Sequence, residues 1–471
     1  MTLPDDVARD PAIDALVARG RTAQRRFAAF DQHAVDDVVL AAAWAIMEPS
    51  RNRALAEMAV RDTGLGDVAD KLAKNHRKTL GLLRDFKGAK SVGVIGEDAA
   101  RGITEIARPA GLVAAITPST NPAATPANNV LCALKGGNAI VVAPSPKGWS
   151  TGARLVEFIN AELARVDAPA DLVQIVPAPV TRAATQALMA AADLVVATGS
   201  QANVRSAYRS GTPAFGVGAG NVAVIVDASA DVRAAGAKIA ASKTFDNATS
   251  CSSENSVVAL EAIAAPLRTA LEAEGGVFLD ADEKARLRDA MWRAGRLAAE
   301  ITAQSAPRIA TLAGLARPAL QAARFLIVDE DGVGADHPFS GEKLSPVLAF
   351  YRAADFSAAC ALVERIYAYQ GAGHSVGIHT RDDDQALALG LTLPVARVIV
   401  NQAHCFATGG SFDNGLAFSL SMGCGTWGRN NFSDNLNYRH YLNITRVARV
   451  IPERVPTEVE IFGAWFARHG R

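Results

Sequence analysis

Apolar residues recur at helical spacing through the N-terminal 90 residues of the chain, most clearly in 38–47 and 71–86. A stripe repeated every three to four residues predicts amphipathic helices. From Ser91 the pattern changes to short β-branched runs at 92–95 and 103–107, which predicts two extended segments joined by a polar turn. We therefore expect the chain to begin with helices and to continue into a hairpin.

A regular alternation of strand and helix patterns follows. Strands are predicted near residues 111–116, 139–142, 172–176, 194–197 and 222–226. Helices are predicted at residues 124–134, 150–163, 181–191, 200–210 and 230–243. This alternation is typical of a doubly wound parallel sheet with helices on both faces.

A second alternation occupies residues 255–400 and predicts a second α/β domain. Its strands are expected near 256–260, 324–328, 347–350, 375–378 and 398–400. The polar stretch 244–250 between the two alternations has no long periodic pattern, so we place the domain boundary there. Residues 441–450 form a last candidate, an extended arm or an edge strand that ends before Pro452.

The charge balance and the start of the chain argue against a nucleic-acid-binding, membrane-bound or secreted protein. Lys and Arg number 48, as do Asp and Glu, so there is no net charge. This balance argues against a general attraction to nucleic acid or to an anionic membrane. No apolar run approaches the ~20 residues of a membrane-spanning helix, and the acidic start lacks the features of a secretory signal. We expect a cytoplasmic protein.

Cysteine is the first residue type that suggests chemistry. The chain has five cysteines, Cys132, Cys251, Cys360, Cys405 and Cys424. An odd number at wide spacing, without a Cys-x-x-Cys pair or a histidine at ligand spacing, favours neither a disulfide framework nor a metal site. Hydroxyl and amide residues surround Cys251, and such donors would favour a thiolate. Cys251 is therefore a candidate nucleophile, with an inert loop thiol as the alternative.

The segment 117–121 follows a predicted strand and precedes a predicted helix. It therefore lies at the carboxyl end of a parallel strand, where α/β proteins bind ligands. Asn121 could cap the helix, with Pro122 at its first position. The same amide could instead face a developing oxyanion, and the two roles are compatible.

Two glycine-containing segments are candidates for phosphate binding. The glycine-rich run 216–221 precedes a strand, so it does not meet the dinucleotide fingerprint, which links a strand to a helix. Thr198, Gly199 and Ser200 do pass from a strand into a helix and would offer backbone N–H groups at a helix N-terminus. An ordinary turn with Ser200 as the helix cap is the alternative.

Taken together, five segments resemble the landmarks of the aldehyde dehydrogenase superfamily, and the similarity extends over roughly residues 88–450. In chain order they are 117–121, 198–200, 216–221, Cys251 and 342–347. Three motifs look like the CoA-acylating branch of that superfamily. They are Cys-Ser-Ser-Glu-Asn at 251–255, Gly-Glu-Lys-Leu-Ser-Pro at 341–346 and Gly-Thr-Trp-Gly-Arg-Asn-Asn at 425–431.

The resemblance implies a function for each domain. Residues 1–245 would bind a nicotinamide cofactor, with 91–108 as a bridging hairpin, and 246–420 would form the catalytic domain. Residues 421–471 would return along the molecule and build an oligomerisation arm, which implies a homodimer or a homotetramer.

The resemblance also implies a role for individual residues. Cys251 would attack an aldehyde carbonyl to give a thiohemiacetal, and Asn121 with the Cys251 backbone N–H would hold the oxyanion. Hydride would then pass to NAD or NADP, leaving a thioester on Cys251. Cofactor binding is implied for Thr117, Pro118, Ser145, Lys147, Thr198, Gly199, Ser200, Gly218 and Glu342. Glu342 would hold the nicotinamide ribose, and Lys147 favours NADP because it could face a 2′-phosphate.

The sequence departs from hydrolytic members of the superfamily at one position. Those members carry a glutamate base in a Glu-Leu-Gly-Gly stretch, and the matching position here is Gly216. Water, with a pKa of about 15.7, needs such a base more than a thiol with a pKa of about 8.5 does. We expect the acyl-enzyme to survive until coenzyme A attacks, and Gly216→Glu to raise hydrolysis. Glu254 is the alternative base, which would make the enzyme hydrolytic.

The substrate implied by the resemblance is a small aldehyde. Sulfoacetaldehyde is the first candidate, and acetaldehyde or another short aldehyde is the alternative. Arg429, Arg439 and His440 could form a cradle for a sulfonate, and His374 and His404 are pocket candidates at predicted strand ends. A non-catalytic homologue that serves as a binding or assembly module is the remaining alternative.

Overall fold

A computed structural model describes residues 10–471, so the predicted absence of a signal at Met1 lies outside the described residues. The predicted N-terminal helices are confirmed. They are α1 (Pro11–Phe27), α2 (Gln32–Met47), α3 (Pro49–Thr63) and α4 (Val68–Phe86). An acidic side chain caps each N-terminus, as Asp67 does for α4 by accepting from the Asp70 N–H. Within residues 10–471, no helix is both long and apolar enough to cross a membrane.

The predicted hairpin and the predicted C-terminal strand lie in one small sheet. Strands β1 (Gly93–Asp98) and β2 (Ile103–Pro109) pair antiparallel. The last strand, β17 (Leu442–Ala448), pairs antiparallel with the other edge of β2. The helix α17 (Glu458–His469) follows and buries no residue within the chain.

The first large sheet contains five parallel strands in the order β5-β4-β3-β6-β7. Its strands are β3 (Leu112–Thr117), β4 (Ala139–Pro144), β5 (Val173–Ile175), β6 (Leu194–Ala197) and β7 (Ala214–Gly216). Its helices are α5 (Ala124–Lys135), α6 (Trp149–Leu163), α7 (Arg182–Ala191) and α8 (Gln201–Arg209). The strand order reverses between β3 and β6, so a crevice opens at their carboxyl ends, where ligands bind in folds of this kind.

The second large sheet contains seven parallel strands in the order β10-β13-β14-β9-β8-β15-β16. Its strands are β8 (Val222–Val226), β9 (Glu254–Leu260), β10 (Gly276–Phe278), β13 (Phe325–Asp329), β14 (Val347–Ala353), β15 (Val376–His379) and β16 (Val398–Val400). The two-residue strands β11 (Trp292–Arg293) and β12 (Arg296–Leu297) form a separate ribbon. The predicted α/β fold with parallel sheets is confirmed.

The sheet topology corrects one boundary. We predicted a break at 244–250, with residues 1–245 as one domain, but β8 pairs with β9 and β15 in the second sheet. The first sheet therefore ends with β7, and the chain crosses to the second sheet near residues 217–221. The pattern of one strand followed by one helix is the same in both sheets, so it could not show which sheet β8 joins.

Helices cover the second sheet, and fully buried strands supply its core. The helices are α9 (Val232–Thr244), α10 (Glu261–Ala273), α11 (Ala281–Met291), α12 (Ala306–Leu312), α13 (Pro318–Gln321), α14 (Phe356–Tyr369), α15 (Asp383–Thr392) and α16 (His404–Ala407). Every residue of β8 and β9 is buried, as expected for a parallel sheet with helices on both faces. This rigid core fixes the loop between α9 and β9, which carries Cys251.

Candidate active site

The carboxyl ends of β3 and β6 and the loop before β9 enclose a cavity of about 510 Å³. The residues predicted for the site converge on it from six separate segments of the chain. Those that line the cavity are Thr117, Pro118, Asn121, Ser145, Thr198, Gly199, Ser200, Gly218, Cys251 and Glu342. Of the residues predicted to bind the cofactor, Lys147 does not line it and stands exposed on the turn after β4.

A buried ion cluster shapes the loop that leads to Cys251. Asp246, Asn247 and Ala248 all have left-handed backbone, with φ of 51°, 48° and 57°. Such residues cost about 1–3 kcal/mol each unless their surroundings enforce them. The Asp246 carboxylate accepts from Lys71 at 3.0 Å and from Lys74 at 2.5 Å. Burial raises the pKa of Asp246, but the two ammonium groups outweigh it and bring the pKa below its ordinary value.

The thiol of Cys251 is neutral in the free protein. Burial, together with the carboxyl of Glu342, raises its pKa to about 12. This corrects the expectation that its polar neighbours favour a thiolate, because desolvation outweighs the nearby donors. Its Sγ lies 3.4 Å from Nε2 of His374. Burial and Arg397 lower the pKa of His374 to about 3, so the imidazole is neutral and its Nε2 can accept a hydrogen bond from the thiol.

Asn121 is held by a residue that the sequence analysis missed. Lys74 donates from Nζ to the amide oxygen of Asn121 at 2.9 Å. An ammonium group only donates, so the oxygen faces Lys74 and the amide nitrogen is left for a ligand in the cavity. The predicted capping role is wrong, since α5 begins after Ala123 and has no side-chain cap. Helical spacing in α4 marked an ordinary amphipathic helix and gave no signal for Lys74.

The carboxyl ends of β3 and β6 fit a bound nucleotide cofactor. Thr117 is buried, and its Oγ1 has no hydrogen-bond partner within residues 10–471. Ser200 caps α8 by accepting from the Asn203 N–H at 3.3 Å, as predicted for the alternative role of this segment. A cap does not prevent ligand binding, because other N–H groups of the first turn remain free.

A second cavity of about 330 Å³ shares Thr117, Ser145 and Asn203 with the first. The residue at the start of α7, Arg182, lines this second cavity, whereas Lys147 lines neither. Arg182 is therefore a cation that lines the second cavity. Arg182 is itself exposed, and a solvent-facing arginine in the first turn of a helix gives no signal in the sequence.

Glu342 supplies a carboxyl group to the main cavity. Burial raises its pKa to about 8, although Lys243 and Lys343 partly offset this. Its backbone N–H donates to Oε1 of Gln370 at 3.1 Å. The side chain is therefore an acceptor for hydroxyl groups that strengthens as pH rises through about 8.

The two positions considered for a hydrolytic base lie outside the cavity. Glu254 is buried behind it, and its Oε1 accepts from the backbone N–H of His404 at 3.3 Å. At Gly216 an added Cβ would lie 2.5 Å from Val204 and 2.9 Å from Tyr208 of α8. A glutamate there would clash with α8 instead of reaching Cys251, so the expected gain of hydrolysis in Gly216→Glu is corrected.

The proposed sulfonate cradle is also not formed at this cavity. Arg429, Arg439 and His440 do not line it, and His440 packs against the rings of Phe215 and Phe432. The donors near Cys251 are neutral hydroxyl and amide groups. They belong to Ser119, Thr120, Asn121, Thr249 and Ser250.

Comparisons with known proteins show which family the chain resembles in sequence and fold. The profile described as the aldehyde dehydrogenase family matches residues 6–275. The chain is 66% identical to sulfoacetaldehyde dehydrogenase (acylating) of Cupriavidus necator, over 98% of this chain and 93% of that protein. It is 37% identical to succinate-semialdehyde dehydrogenase (acetylating) of Clostridium kluyveri, over 97% of this chain and 100% of that one.

A solved structure gives the same result for the fold. The crystal structure of an acetylating aldehyde dehydrogenase from Geobacillus thermoglucosidasius superposes with a TM-score of 0.91 at 36% identity. The match covers 96% of this chain and 100% of that chain. Sequence and fold agree, and the chain belongs to the aldehyde dehydrogenase family.

Proposed function

We propose that this chain is a CoA-acylating aldehyde dehydrogenase. It oxidises a small aldehyde with NAD(P)+ and coenzyme A, and the products are an acyl-CoA, NAD(P)H and a proton. The observation that carries the proposal is the 3.4 Å contact between the Cys251 thiol and His374, in a cavity that offers the Asn121 amide and that Glu254 does not reach. The acylating relatives named above support the same reaction.

The first half-reaction acylates Cys251. His374 takes the thiol proton at Nε2 only as Sγ bonds to the carbonyl carbon, because with a thiol pKa near 12 and an imidazole pKa near 3 the proton does not move before that bond forms. The amide nitrogen of Asn121 donates to the oxygen of the resulting thiohemiacetal. A nicotinamide cofactor in the cavity supplies the acceptor for the hydride. Loss of the hydride and of one proton leaves an acyl thioester on Sγ.

The second half-reaction transfers the acyl group to coenzyme A. The CoA sulfur attacks the thioester carbon, its proton passes to His374, and His374 returns a proton to Sγ of Cys251. Proton return matters because a thiolate whose conjugate acid has a raised pKa is a poor leaving group. Neither Glu254 nor Gly216 offers water a carboxylate in the cavity, and the carboxyl that does line it, Glu342, is mostly protonated at neutral pH because burial raises its pKa to about 8. The thiol of coenzyme A, with a pKa of about 8.5, needs less help from a base than water does.

Sulfoacetaldehyde is the substrate we favour, with acetaldehyde or another short aldehyde as the alternative. Identity of 66% to a sulfoacetaldehyde dehydrogenase supports it. The hydroxyl groups of Ser119, Thr120 and Ser250 in the cavity lining offer neutral donors to a sulfonate. Lys74, behind Asn121, adds positive charge on the same side.

The test is NAD(P)H formation with sulfoacetaldehyde or acetaldehyde, with and without coenzyme A. We expect steady turnover with coenzyme A, and without it a burst of about one equivalent per site, because the acyl-enzyme accumulates. Steady turnover without coenzyme A would identify a hydrolytic enzyme. If no aldehyde gave either a burst or turnover, the non-catalytic alternative would stand.

A further inference from the structure

The contact between Cys251 and His374 is the outer end of a longer chain of hydrogen bonds. Nδ1 of His374 lies 2.7 Å from Oγ of Ser375, and the same Oγ lies 2.8 Å from Nε2 of His404. The side chains of His374, Ser375 and His404 are all inaccessible to solvent, with at most 1% of each residue exposed. The reaction described above uses only His374.

Backbone groups hold the inner members of this chain, and Nδ1 of His404 is buried without a hydrogen-bond partner within residues 10–471. The hydroxyl of Tyr367 donates to the backbone carbonyl of Ser375 at 2.6 Å. His404 begins α16, and its backbone N–H donates to Glu254. Burying three polar side chains costs free energy that their mutual hydrogen bonds only partly return. An arrangement of this kind fixes the orientation of a side chain, here that of the His374 imidazole.

The hydroxyl of Ser375 makes the chain directional, because it has one proton to donate. When Ser375 donates to His404, it accepts from Nδ1–H of His374, and Nε2 of His374 is then an unprotonated acceptor for the thiol proton. When Ser375 donates to His374, Nε2 carries the proton and cannot act as a base. The direction of the chain therefore decides whether His374 can take a proton from Cys251.

We propose that Ser375 and His404 are positioning residues that keep the unprotonated Nε2 of His374 directed at Sγ of Cys251. The proposal rests on the proposed function, and it adds an explanation of why His374 has the tautomer with an unprotonated Nε2. In the step concerned, the S–H bond breaks, a proton moves to Nε2 and the sulfur electron pair forms the bond to carbon. The imidazolium donates from Nδ1 to Ser375, which donates to His404, so both inner groups stabilise the charge.

The test uses alkylation of Cys251 by iodoacetamide in the full chain, followed by mass spectrometry of its peptide. This reaction needs no aldehyde, cofactor or coenzyme A. We expect Ser375→Ala and His404→Phe each to lower the rate constant about tenfold, a part of the 10²–10⁴-fold that general base catalysis supplies. We expect His404→Gln, which can still accept from Ser375, to restore the rate to within about threefold of the unmodified chain.

Two controls separate positioning from damage to the fold. Ser256→Ala removes a buried hydroxyl of β9 that has no hydrogen-bond partner within residues 10–471. His379→Phe replaces a buried histidine at the end of β15, the strand that begins directly after Ser375. Both should leave the alkylation rate within about twofold, since neither side chain belongs to the chain of hydrogen bonds. Thermal unfolding of each variant confirms that it is folded.

A double-mutant cycle decides the outcome. If His404 acts through His374, His404→Phe changes the rate less than about twofold in a His374→Ala background. An equal loss in both backgrounds, or wild-type rates in Ser375→Ala and His404→Phe, would overturn the proposal. If the variants showed the predicted alkylation rates but the protein formed no acyl-CoA, the positioning role would stand and the proposed function would be rejected.

Discussion

The ammonium nitrogen of Lys74 lies 2.9 Å from the amide oxygen of Asn121, and the two residues are 47 positions apart in the chain. The same ammonium group binds the carboxylate of Asp246 five residues before Cys251. One buried cation therefore orients the oxyanion donor and the loop of the nucleophile together. This relationship leads to the first prediction.

Asn121→Asp should remove the oxyanion donor and leave the fold intact. The aspartate has nearly the same shape and can still accept from Lys74, but it has no N–H group. We expect kcat to fall about 10²–10³-fold, as for other oxyanion-hole donors. Asn121→Ala should lose as much activity and also about 1–3 kcal/mol of stability, because Lys74 loses a partner. Steady-state kinetics and urea unfolding check both, and near-normal kcat in Asn121→Asp would remove Asn121 from the mechanism.

Cys251→Ser should abolish both the burst and the turnover of NAD(P)H. A serine hydroxyl is a far weaker nucleophile than a thiol next to a general base, so we expect kcat to fall more than about 10³-fold. Cys360→Ser on α14 is the matched control, because that half-buried thiol does not line the cavity. Unchanged turnover in Cys251→Ser would exclude Cys251 as the nucleophile.

Glu342→Gln should remove a pH dependence of cofactor binding. The pKa of Glu342 is raised to about 8, so its carboxyl is mostly neutral below that pH and accepts more strongly once ionised. In the unmodified chain, Kd for NAD(P)+ should therefore fall as pH rises through about 8. In Glu342→Gln this Kd should not change with pH. Calorimetric titration at several pH values measures it, and Glu254→Gln is the control.

For Glu254, the pKa is also raised by burial, to about 7, but its carboxyl does not line the cavity. The pH dependence of cofactor binding should therefore persist in Glu254→Gln. If Glu254→Gln flattened the profile and Glu342→Gln did not, the ribose contact expected of Glu342 would be wrong.

Arg182→Ala should weaken the binding of NADP more than that of NAD, and Lys147→Ala should change the binding of neither cofactor. Both side chains are exposed, but Arg182 lines the second cavity together with Ser145, whereas Lys147 lines neither cavity. Loss of an arginine that contacts a 2′-phosphate should raise KM for NADP about tenfold, with little change for NAD. The reverse result, with Lys147→Ala as the variant impaired in NADP binding, would restore the role predicted from the sequence.

Removal of residues 450–471 should convert an oligomer into a monomer. Apolar residues of this segment are strongly exposed within one chain, with Val450 at 101%, Val455 at 75% and Val459 at 64%. Exposed apolar patches of this kind mark contacts with another chain, and a homodimer or homotetramer would cover them. Light scattering coupled to gel filtration measures the mass. A full-length chain that is monomeric at micromolar concentration would contradict the predicted arm.

Local patterns predicted most of the secondary structure. The strands β6, β8 and β16 have the predicted bounds, because a continuous β-branched run between polar turns has few alternatives. The candidate nucleophile Cys251 was also found from its neighbours in the chain. The thiolate expected from those neighbours was wrong, because the degree of burial depends on elements that are distant in sequence.

Local spacing and composition were enough to assign the strands and helices and to place one thiol in a polar loop, because both act over only a few residues. Tertiary structure decided that β8 joins the second sheet, that His374 meets Cys251 across 123 residues, and that Lys74 orients Asn121. Contacts of that kind depend on how sheets and helices pack. Packing arises from many weak interactions summed over the whole chain, and no local pattern contains that sum.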